Sequence, residues 1–198
     1  MKRLFKVLLL AGMLLTGGNV MADSLKTATF AGGCFWCMQS EFDHQAGVSK
    51  TIVGFTGGHV DNPTYEQVSA GNTGHFEALQ VSYDPAKVSY ERLVEIFWSN
   101  IDPLDAAGQF CDKGAQYRSA IFVADDAERK AAEASKVALG KTLSAKLGKP
   151  TEIMTEVLPV ATFWPAEEYH QEYYLKNPLR YAAYRAGCGR DARLKELK

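Results

Sequence analysis

Two cysteines that could do redox chemistry lie three residues apart, directly after a pair of glycines. Cys34 and Cys37 follow Gly32 and Gly33 and open a run of apolar residues at helical spacing. At the first turn of a helix the backbone N–H groups converge and the helix dipole is positive, so a thiolate is favoured there. Cys34 is therefore the candidate nucleophile. Cys37 should lie one turn further along the same face, close enough to pair with Cys34 or to assist it.

Two further cysteines, Cys111 and Cys188, stand far apart in the chain. Four cysteines in an exported protein are compatible with two structural disulfide bonds, and this interpretation stays open. A zinc site usually needs a second pair of ligands at similar spacing, but neither Cys111 nor Cys188 has a Cys or His two to five residues away. We therefore expect no metal site.

The segments that must position these cysteines alternate between strand and helix patterns. Alternating or β-branched runs predict five strands, at residues 26–30, 48–55, 76–83, 119–123 and 152–160. Helices are predicted from Cys34 to about Gly47, near Asn62 with Pro63 in the first turn, after a Ser89 cap, over 126–147, and as one short tail helix from Pro165. Residues 100–116 are predicted to form a long loop.

The composition is that of an ordinary globular protein. The chain has 198 residues, of which 46% are hydrophobic and 11% aromatic, without repeats or low-complexity tracts. Interleaved strands and helices predict one domain of the α/β or α+β class. The 22 Lys and Arg residues nearly balance the 23 Asp and Glu residues. Because a protein that neutralises nucleic-acid phosphates needs a basic surplus, we expect no nucleic-acid partner.

The first 22 residues are typical of a secretory signal peptide. Lys2, Arg3 and Lys6 precede an apolar run over 7–15, which is too short for a bilayer that requires about 20 residues. The segment ending at Ala22 fits a signal-peptidase site. We expect cleavage after Ala22, export to the periplasm, no stable membrane association, and a catalytic domain over 23–198 that acts as a monomer. An uncleaved apolar N-terminal helix is the alternative.

Five segments in the same order resemble the A-type methionine sulfoxide reductases. They are Gly33-Cys34-Phe35-Trp36-Cys37, Asn62-Pro63-Thr64-Tyr65, Thr73-Gly74-His75-Phe76-Glu77-Ala78, Asp112-Lys113-Gly114-Ala115-Gln116-Tyr117-Arg118-Ser119 and Pro165-Ala166-Glu167-Glu168-Tyr169-His170-Gln171. The resemblance implies a two-layer α/β fold (α+β) with a mixed sheet, flanking helices and a ferredoxin-like core. It also implies reduction of methionine-S-sulfoxide, free or in oxidised proteins, with no bound cofactor and with electrons from a thioredoxin-like donor.

The resemblance assigns the chemistry to three kinds of side chain. It makes Cys34 the nucleophile that attacks the sulfoxide sulfur, and it places the substrate methyl group against Phe35 and Trp36. Glu77 would hydrogen-bond the sulfoxide oxygen and supply a proton as the S–O bond breaks. A carboxyl group in an apolar pocket has its neutral, proton-donating form favoured by desolvation, which suits this role.

Four more positions follow from the same resemblance. Tyr65 and Tyr117 would donate further hydrogen bonds to the sulfoxide oxygen. Asp112 and His170 would support the site through hydrogen bonds to the tyrosines or to water. Without the motif context, each of these residues would be read as an ordinary packing or surface residue.

Turnover leaves Cys34 as a sulfenic acid, which a second thiol must convert to a disulfide. We predict Cys188 for this role, because it lies in a glycine-flanked tail between two arginines that favour its thiolate. Cys37 and Cys111 stay open as relay thiols or as partners in a second disulfide. Many relatives instead carry the resolving Cys where this chain has Ala182.

Two other functions compete with this interpretation. A thioredoxin-like thiol–disulfide oxidoreductase could use Cys34 and Cys37 as its redox pair, because a Cys-x-x-Cys sequence after a strand and a turn also suits that activity. A secreted binding domain with two structural disulfides is the non-enzymatic alternative.

Overall fold

The computed structural model describes residues 25–198, so the predicted signal peptide at 1–22 lies outside the described part of the chain. The strands are β1 (Lys26–Gly32), β2 (Val48–Thr56), β3 (Phe76–Tyr83), β4 (Gly108–Gln109), β5 (Asp112–Lys113), β6 (Ser119–Val123), β7 (Glu156–Pro159) and β8 (Phe163–Pro165). The helices are α1 (Phe35–Phe42), α2 (Tyr65–Ser69), α3 (Tyr90–Trp98), α4 (Asp126–Leu147), α5 (Tyr173–Lys176), α6 (Pro178–Gly187) and α7 (Arg190–Leu197). Within these residues no helix is both long and apolar enough to cross a membrane.

Six strands form one sheet in the order β7-β6-β1-β3-β2-β8. The β6–β7 pair is parallel and the other neighbouring pairs are antiparallel, so the predicted mixed sheet is confirmed. In the centre, Phe30 of β1 lies opposite Leu79 of β3 and also opposite Ile121 of β6. This register brings the start of β3 to the same end of the sheet as the turn that follows β1.

The main hydrophobic core lies between the sheet and its helices. Side chains alternate between the two faces of a strand, and on the helix-facing side Phe30 packs in stacked pairs with Phe42 of α1 and Phe97 of α3. The opposite face carries a smaller cluster in which Phe76 meets Phe122 edge to face. Each buried aromatic residue contributes roughly 2–3 kcal/mol through burial of apolar surface, so the sheet and α1 form one rigid unit.

Most predicted elements coincide with observed ones. The strands at 76–83 and 119–123 and the helix at 126–147 have the predicted bounds. Ser89 caps α3, since its side chain accepts a hydrogen bond from the Arg92 backbone N–H. The predicted strands at 26–30 and 48–55 are each extended slightly, to Gly32 and to Thr56.

The structure corrects five local predictions. The first helix, predicted to reach about Gly47, ends at Phe42. The second helix is capped by Thr64 through a capping box with Gln67, whereas Asn62 takes a left-handed conformation with φ of 44° outside the helix. The predicted loop over 100–116 contains the short hairpin of β4 and β5. The predicted strand at 152–160 is reduced to β7. The tail forms three helices rather than one, because Glu172 takes a φ of 51° and Pro178 starts a new helix.

The turn between β1 and α1 depends on the absence of a side chain at Gly33. Gly33 has a φ of +76°, and a Cβ placed there would lie 2.5 Å from the Cβ of Gln109. Gln109 is itself fixed, because its side chain exchanges two hydrogen bonds with the backbone of Asp102. This turn sets the position of Cys34, which precedes the first residue of α1.

We expect Gly33→Ala to lower the free energy of unfolding by more than about 1 kcal/mol, because the new Cβ is strained at positive φ and meets a fixed neighbour. Urea denaturation measures this loss. The matched control is Gly187→Ala, where the new Cβ would have no neighbour within 4 Å. Gly187→Ala should leave the free energy of unfolding unchanged or raise it by up to about 1 kcal/mol. An equal decrease of the free energy of unfolding in the two variants would contradict the prediction.

Candidate active site

Cys34 lies at the N-terminus of α1 in a small recess. Its side chain is only 4% exposed. The recess has a volume of about 60 Å³. It is lined by eight residues: Cys34, Phe35, Trp36, Tyr65, Glu77, Asp112, Tyr117 and Tyr184. Seven of these eight are residues that the sequence motifs single out. The structure therefore brings together segments from β1–α1, α2, β3, the β4–β5 hairpin and α6.

Glu77 is buried directly beside the start of α1. It lies on the helix-facing side of β3, two residues before the core residue Leu79, and is 2% exposed. Its Oε2 atom accepts a hydrogen bond of 3.1 Å from the backbone N–H of Phe35. Burial raises the pKa of Glu77 to about 8, against the lowering effect of that hydrogen bond. Glu77 is therefore largely protonated at neutral pH, the form required of a proton donor.

Aromatic rings form one wall of the recess. The Trp36 ring stacks on Tyr173 with 3.8 Å between ring centroids and 9° between planes. The indole Nε1 of Trp36 donates a hydrogen bond of 3.1 Å to Nδ1 of His170. His170 also packs against Phe35, at 5.2 Å between centroids, and against Tyr65, at 4.3 Å. His170 therefore holds the aromatic wall from behind and does not line the recess itself.

His170 is neutral in this setting. Burial lowers its pKa. Because Nδ1 accepts the Trp36 hydrogen bond, the proton of the neutral ring belongs on Nε2, which is buried without a partner in the described structure. The predicted supporting role of His170 thus takes the form of a contact with an indole rather than with a tyrosine.

Tyr65 and Tyr117 present phenol groups to the same recess as Cys34 and Glu77. Burial raises the pKa of Tyr117 to about 12 and also raises the pKa of Tyr65. Both residues consequently keep their protons at any physiological pH and can donate hydrogen bonds to an oxygen atom.

Tyr184 is a residue of the recess that the sequence motifs did not indicate. Its hydroxyl donates a hydrogen bond of 2.5 Å to Oδ2 of Asp112 and is also in hydrogen-bonding contact with Cys34. Its ring meets Trp36 edge to face. The predicted support by Asp112 therefore acts on Tyr184. No motif marks Tyr184, because α6 lies over the recess only in the folded chain.

The pKa values of the two thiols at the start of α1 are shifted in opposite directions. Burial raises the pKa of the Cys34 thiol well above its usual value, and the neighbouring Cys37 adds to this. The hydrogen bond with Cys34, together with the charges of Arg190 and Arg185, lowers the pKa of Cys37 to about 7 against the effect of burial. The helix N-terminus was expected to favour a Cys34 thiolate, but desolvation outweighs that effect in this recess.

The remaining cysteines are bonded to each other. Cys111 and Cys188 form a disulfide with 4.8 Å between their Cα atoms, whereas Cys34 and Cys37 are free and buried. Cys111 is exposed and Cys188 is partly buried. In this state Cys188 is not the direct partner of Cys34. Asp112 lies beside the two sulfur atoms, but because these are joined to each other they offer no free thiolate ligands.

A larger cavity of about 620 Å³ lies elsewhere, between α1, β2 and α5. It is lined mainly by polar side chains, including Asp43, Lys50 and Glu172, and contains no thiol. Its size does not make it the candidate site, because the buried thiol of Cys34 and the neutral carboxyl group of Glu77 both line the smaller recess.

A buried thiol, a protonated carboxyl group and three phenols around a small apolar recess define a thiol-dependent oxidoreductase that can protonate a departing oxygen. The comparisons with known proteins identify the family. The model of the peptide methionine sulfoxide reductase family matches residues 26–198. The chain belongs to this family, in its A-type branch, and reduces methionine sulfoxide.

Three similar proteins illustrate the match. The peptide methionine sulfoxide reductase MsrA of Bacillus licheniformis is 50% identical over 176 residues, which cover 89% of this chain and 95% of the relative. The structure of methionine sulfoxide reductase A of Corynebacterium diphtheriae has a TM-score of 0.71 at 34% identity, covering 79% of this chain and 76% of the other. The structure of Mxr1 from Saccharomyces cerevisiae in complex with Trx2 has a TM-score of 0.50 at 26% identity, covering 76% and 85%.

The buried Glu77 makes stability depend on pH. Its pKa in the folded chain is about 8, above the ordinary value of 4.5. As pH rises from about 4.5 to 8, the unfolded chain loses this proton while the folded chain keeps it, so the free energy of unfolding falls over this window. Glu77→Gln should remove this fall of the free energy of unfolding, and at pH 8 it should be more stable than the parent chain by roughly a few kcal/mol.

Urea denaturation of both proteins at pH 5 and pH 8 measures the difference. Glu133→Gln, on the exposed side of α4, is the control and should follow the parent chain. If Glu77→Gln shows the same change between the two pH values as the parent chain, the carboxyl group is not held neutral by burial.

Proposed function

We propose that the chain reduces the S epimer of methionine sulfoxide, free or in oxidised proteins, with Cys34 as nucleophile and Glu77 as proton donor. The observation that carries this assignment is the shared recess of about 60 Å³, in which a thiol and a neutral carboxyl group face each other with apolar rings beside them. Sulfoxide repair uses one enzyme type for each epimer, and the resemblance to the A type supports the S form.

The reductive step balances as follows. The sulfur of Cys34 attacks the sulfoxide sulfur, and the proton of Glu77 goes to the sulfoxide oxygen as its bond to the methionine sulfur breaks. The thiol proton of Cys34 also goes to this oxygen, which leaves as water, and a sulfonium group bonded to the Cys34 sulfur remains. Water then attacks the Cys34 sulfur, the bond between the two sulfur atoms breaks, methionine leaves as the thioether, and Cys34 becomes a sulfenic acid while the released proton restores Glu77. Tyr65 and Tyr117 donate hydrogen bonds to the sulfoxide oxygen and stabilise the charge that develops on it.

The aromatic wall selects the methyl end of the substrate. A sulfoxide carries one polar oxygen and one methyl group on the same sulfur, and the recess is lined both by phenol groups and by the rings of Phe35 and Trp36. The stack of Trp36 on Tyr173 and its hydrogen bond to His170 keep the indole in one orientation. Fixed polar and apolar groups of this kind support discrimination between epimers, because exchanging the oxygen and the methyl group would exchange their contacts.

We infer that recycling passes through two dithiol pairs. The sulfenic acid of Cys34 condenses with the Cys37 thiol, which releases water and forms a disulfide. The reduced thiols of Cys111 and Cys188 then exchange with that disulfide, and the oxidised pair moves to Cys111–Cys188. The observed arrangement, with a free pair at α1 and a bonded exposed pair, supports this order, because it corresponds to the end of the relay.

The donor is proposed to be a thioredoxin-fold protein, and no bound cofactor is needed. The complex of Mxr1 with Trx2, a thioredoxin, supports this donor class. The exposed Cys111 offers the sulfur atom that an external thiolate would attack. We propose that the chain acts as a monomer on oxidised proteins or on free methionine sulfoxide, takes electrons from this reductant, and does not associate stably with membranes.

A ferredoxin-like core is the finer description that we propose for the fold. The elements β1, α1, β2 and β3, then helices and β6, follow a βαββαβ sequence, and the order β6-β1-β3-β2 with antiparallel neighbours supports it. We also propose that residues 23–198 constitute the catalytic domain.

Cys34→Ser should abolish methionine formation from the S-sulfoxide, even in a single turnover with excess enzyme, because the serine hydroxyl group cannot accept the oxygen as a sulfenic acid. Methionine release by chromatography is the measurement, with the R-sulfoxide as the control substrate for the parent chain. Sulfoxide reduction by Cys34→Ser would contradict the assignment. Insulin reduction by the parent chain without sulfoxide turnover would support a thiol–disulfide oxidoreductase instead.

Cys188→Ser should still form methionine in the first turnover but lose multiple turnover with a thioredoxin-fold donor, because the exchange that ends at Cys111–Cys188 is blocked. Steady-state rates with the protein donor and with a small dithiol distinguish a chain that has lost only recycling by the protein donor from one that has also lost methionine formation. Cys188→Ala is the matched control for size. Full multiple turnover of Cys188→Ser with the protein donor would remove Cys188 from the relay.

We propose export to the periplasm with cleavage after Ala22. The charged start and short apolar run of residues 1–15 support this localisation. The intact mass of protein from a periplasmic fraction should correspond to a chain that begins at Asp23. Full-length protein retained in the cytoplasmic fraction would contradict the proposal.

A further inference from the structure

Arg190 is a buried cation without a carboxylate partner. Its side chain is only 1% exposed, at the N-terminus of α7. Its Nη2 group contacts the backbone carbonyl of Asn100 and lies 3.5 Å from Sδ of Met38, while its Nε atom is buried without a hydrogen-bond partner. It makes no ion pair anywhere within residues 25–198. An uncompensated buried charge costs several kcal/mol, so an anion should lie nearby.

The chain builds a specific enclosure around this cation. The ring of Phe110, at the tip of the β4–β5 hairpin, lies 4.5 Å from the guanidinium carbon of Arg190. Phe110 takes a left-handed conformation with φ of 54° to reach this position, which is uncommon for a bulky residue. A backbone strained in this way persists only where the surroundings require it.

Three groups that can carry a negative charge are influenced by Arg190. Asp191 is already paired with Arg185, and Asp112 accepts the hydrogen bond of Tyr184, which leaves Cys37 on α1. Met38, which touches Arg190, directly follows Cys37 in the helix, so α7 places the guanidinium group beside the turn of α1 that carries Cys37. Cys37 has its pKa lowered to about 7, and the charge of Arg190 is one of the causes.

The other charged and titratable groups around Cys37 do not replace Arg190. Arg185 of α6 also faces Cys37, but it is already paired with Glu41 at 2.8 Å and with Asp191 at 2.6 Å. From α6 the Tyr181 hydroxyl contacts Cys37 and Ser40. The remaining neighbours are Cys34 on the same turn and Glu77 on β3, which is neutral at pH 7.

We propose that Arg190 is a positioning residue that keeps Cys37 as the thiolate partner of Cys34. This proposal rests on the proposed function and assigns the first resolving thiol. The charged sulfur of Cys37 accepts the Cys34 hydrogen bond in the resting enzyme. After methionine leaves, it attacks the sulfur of the Cys34 sulfenic acid, and the departing hydroxide takes a proton and becomes water.

The test uses Cys34→Ser protein, in which serine preserves a hydroxyl donor to Cys37 and Cys111–Cys188 stays bonded, so Cys37 is the sole free thiol. Its thiolate is followed by ultraviolet absorbance as pH rises. The midpoint should lie below the ordinary value of a thiol. This protein still contains Arg190, so a midpoint at the ordinary thiol value would already overturn the proposal.

Adding Arg190→Gln to this protein should raise the midpoint by about one pH unit or more, and Arg190→Lys should raise it less because it keeps the charge. Arg193→Gln is the matched control on the same helix. Arg193 pairs with Asp102 and Glu196, and its loss should leave the midpoint unchanged. An unchanged midpoint in a folded Arg190→Gln protein would overturn the proposal.

A kinetic readout separates this role from a structural one. In the chain with all four cysteines, Arg190→Gln should slow disulfide formation about tenfold more than it slows methionine formation, and higher pH should restore the slowed step. Equal slowing of both steps, or no recovery at high pH, would overturn the role. If the parent chain forms no methionine, the proposed function fails, whereas the titration of Cys37 still tests Arg190 by itself.

Discussion

The hydrogen bond from the Phe35 backbone N–H to Glu77 is the contact on which the rest of the site depends. It joins the first residue of α1 to the helix-facing side of β3, and so fixes the thiol and the carboxyl group relative to each other. Burial of Glu77 beneath α1 is also what keeps its proton at neutral pH. A carboxylate at this helix terminus would be stabilised by the helix dipole, but the apolar surroundings outweigh that effect. The same packing that builds the core therefore keeps this carboxyl group in its neutral form.

The C-terminal segment completes the recess that the sheet begins. Tyr173, Tyr184 and His170 come from the last thirty residues of the chain, and all three contact Trp36. Polar contacts also anchor this segment to α1, and α6 itself has no fully buried residue. Gln39, for example, accepts the Glu172 backbone N–H at 2.7 Å where the chain turns into α5. These contacts hold the tail in place, with the half-buried Cys188 after α6 bonded to the exposed Cys111 of the β4–β5 hairpin.

The sequence predicts those parts of the molecule whose signals are local. The bounds of β3, β6 and α4 follow from periodicity, and the glycine turn before Cys34 follows from two adjacent glycines. Motif residues also predict seven of the eight residues that line the recess. Tyr184 belongs to no motif and could not be predicted, whereas Arg190 was expected to act on Cys188 rather than on Cys37. Both residues reach the site through packing of the tail. The Cys111–Cys188 bond depends likewise on how the β4–β5 hairpin meets the end of α6.

The expectation for Cys34 illustrates a competition that sequence position alone cannot decide. A helix N-terminus favours a thiolate by about 0.3–1 kcal/mol at an exposed position, whereas full burial of a charged group shifts its pKa by several units in the opposite direction. In this recess burial prevails, and the lower pKa of the pair belongs to Cys37, on which the arginines of α6 and α7 act. Because oxidation of a cysteine to a sulfenic acid follows thiolate character and exposure, the buried Cys34 thiol is poorly reactive towards general oxidants.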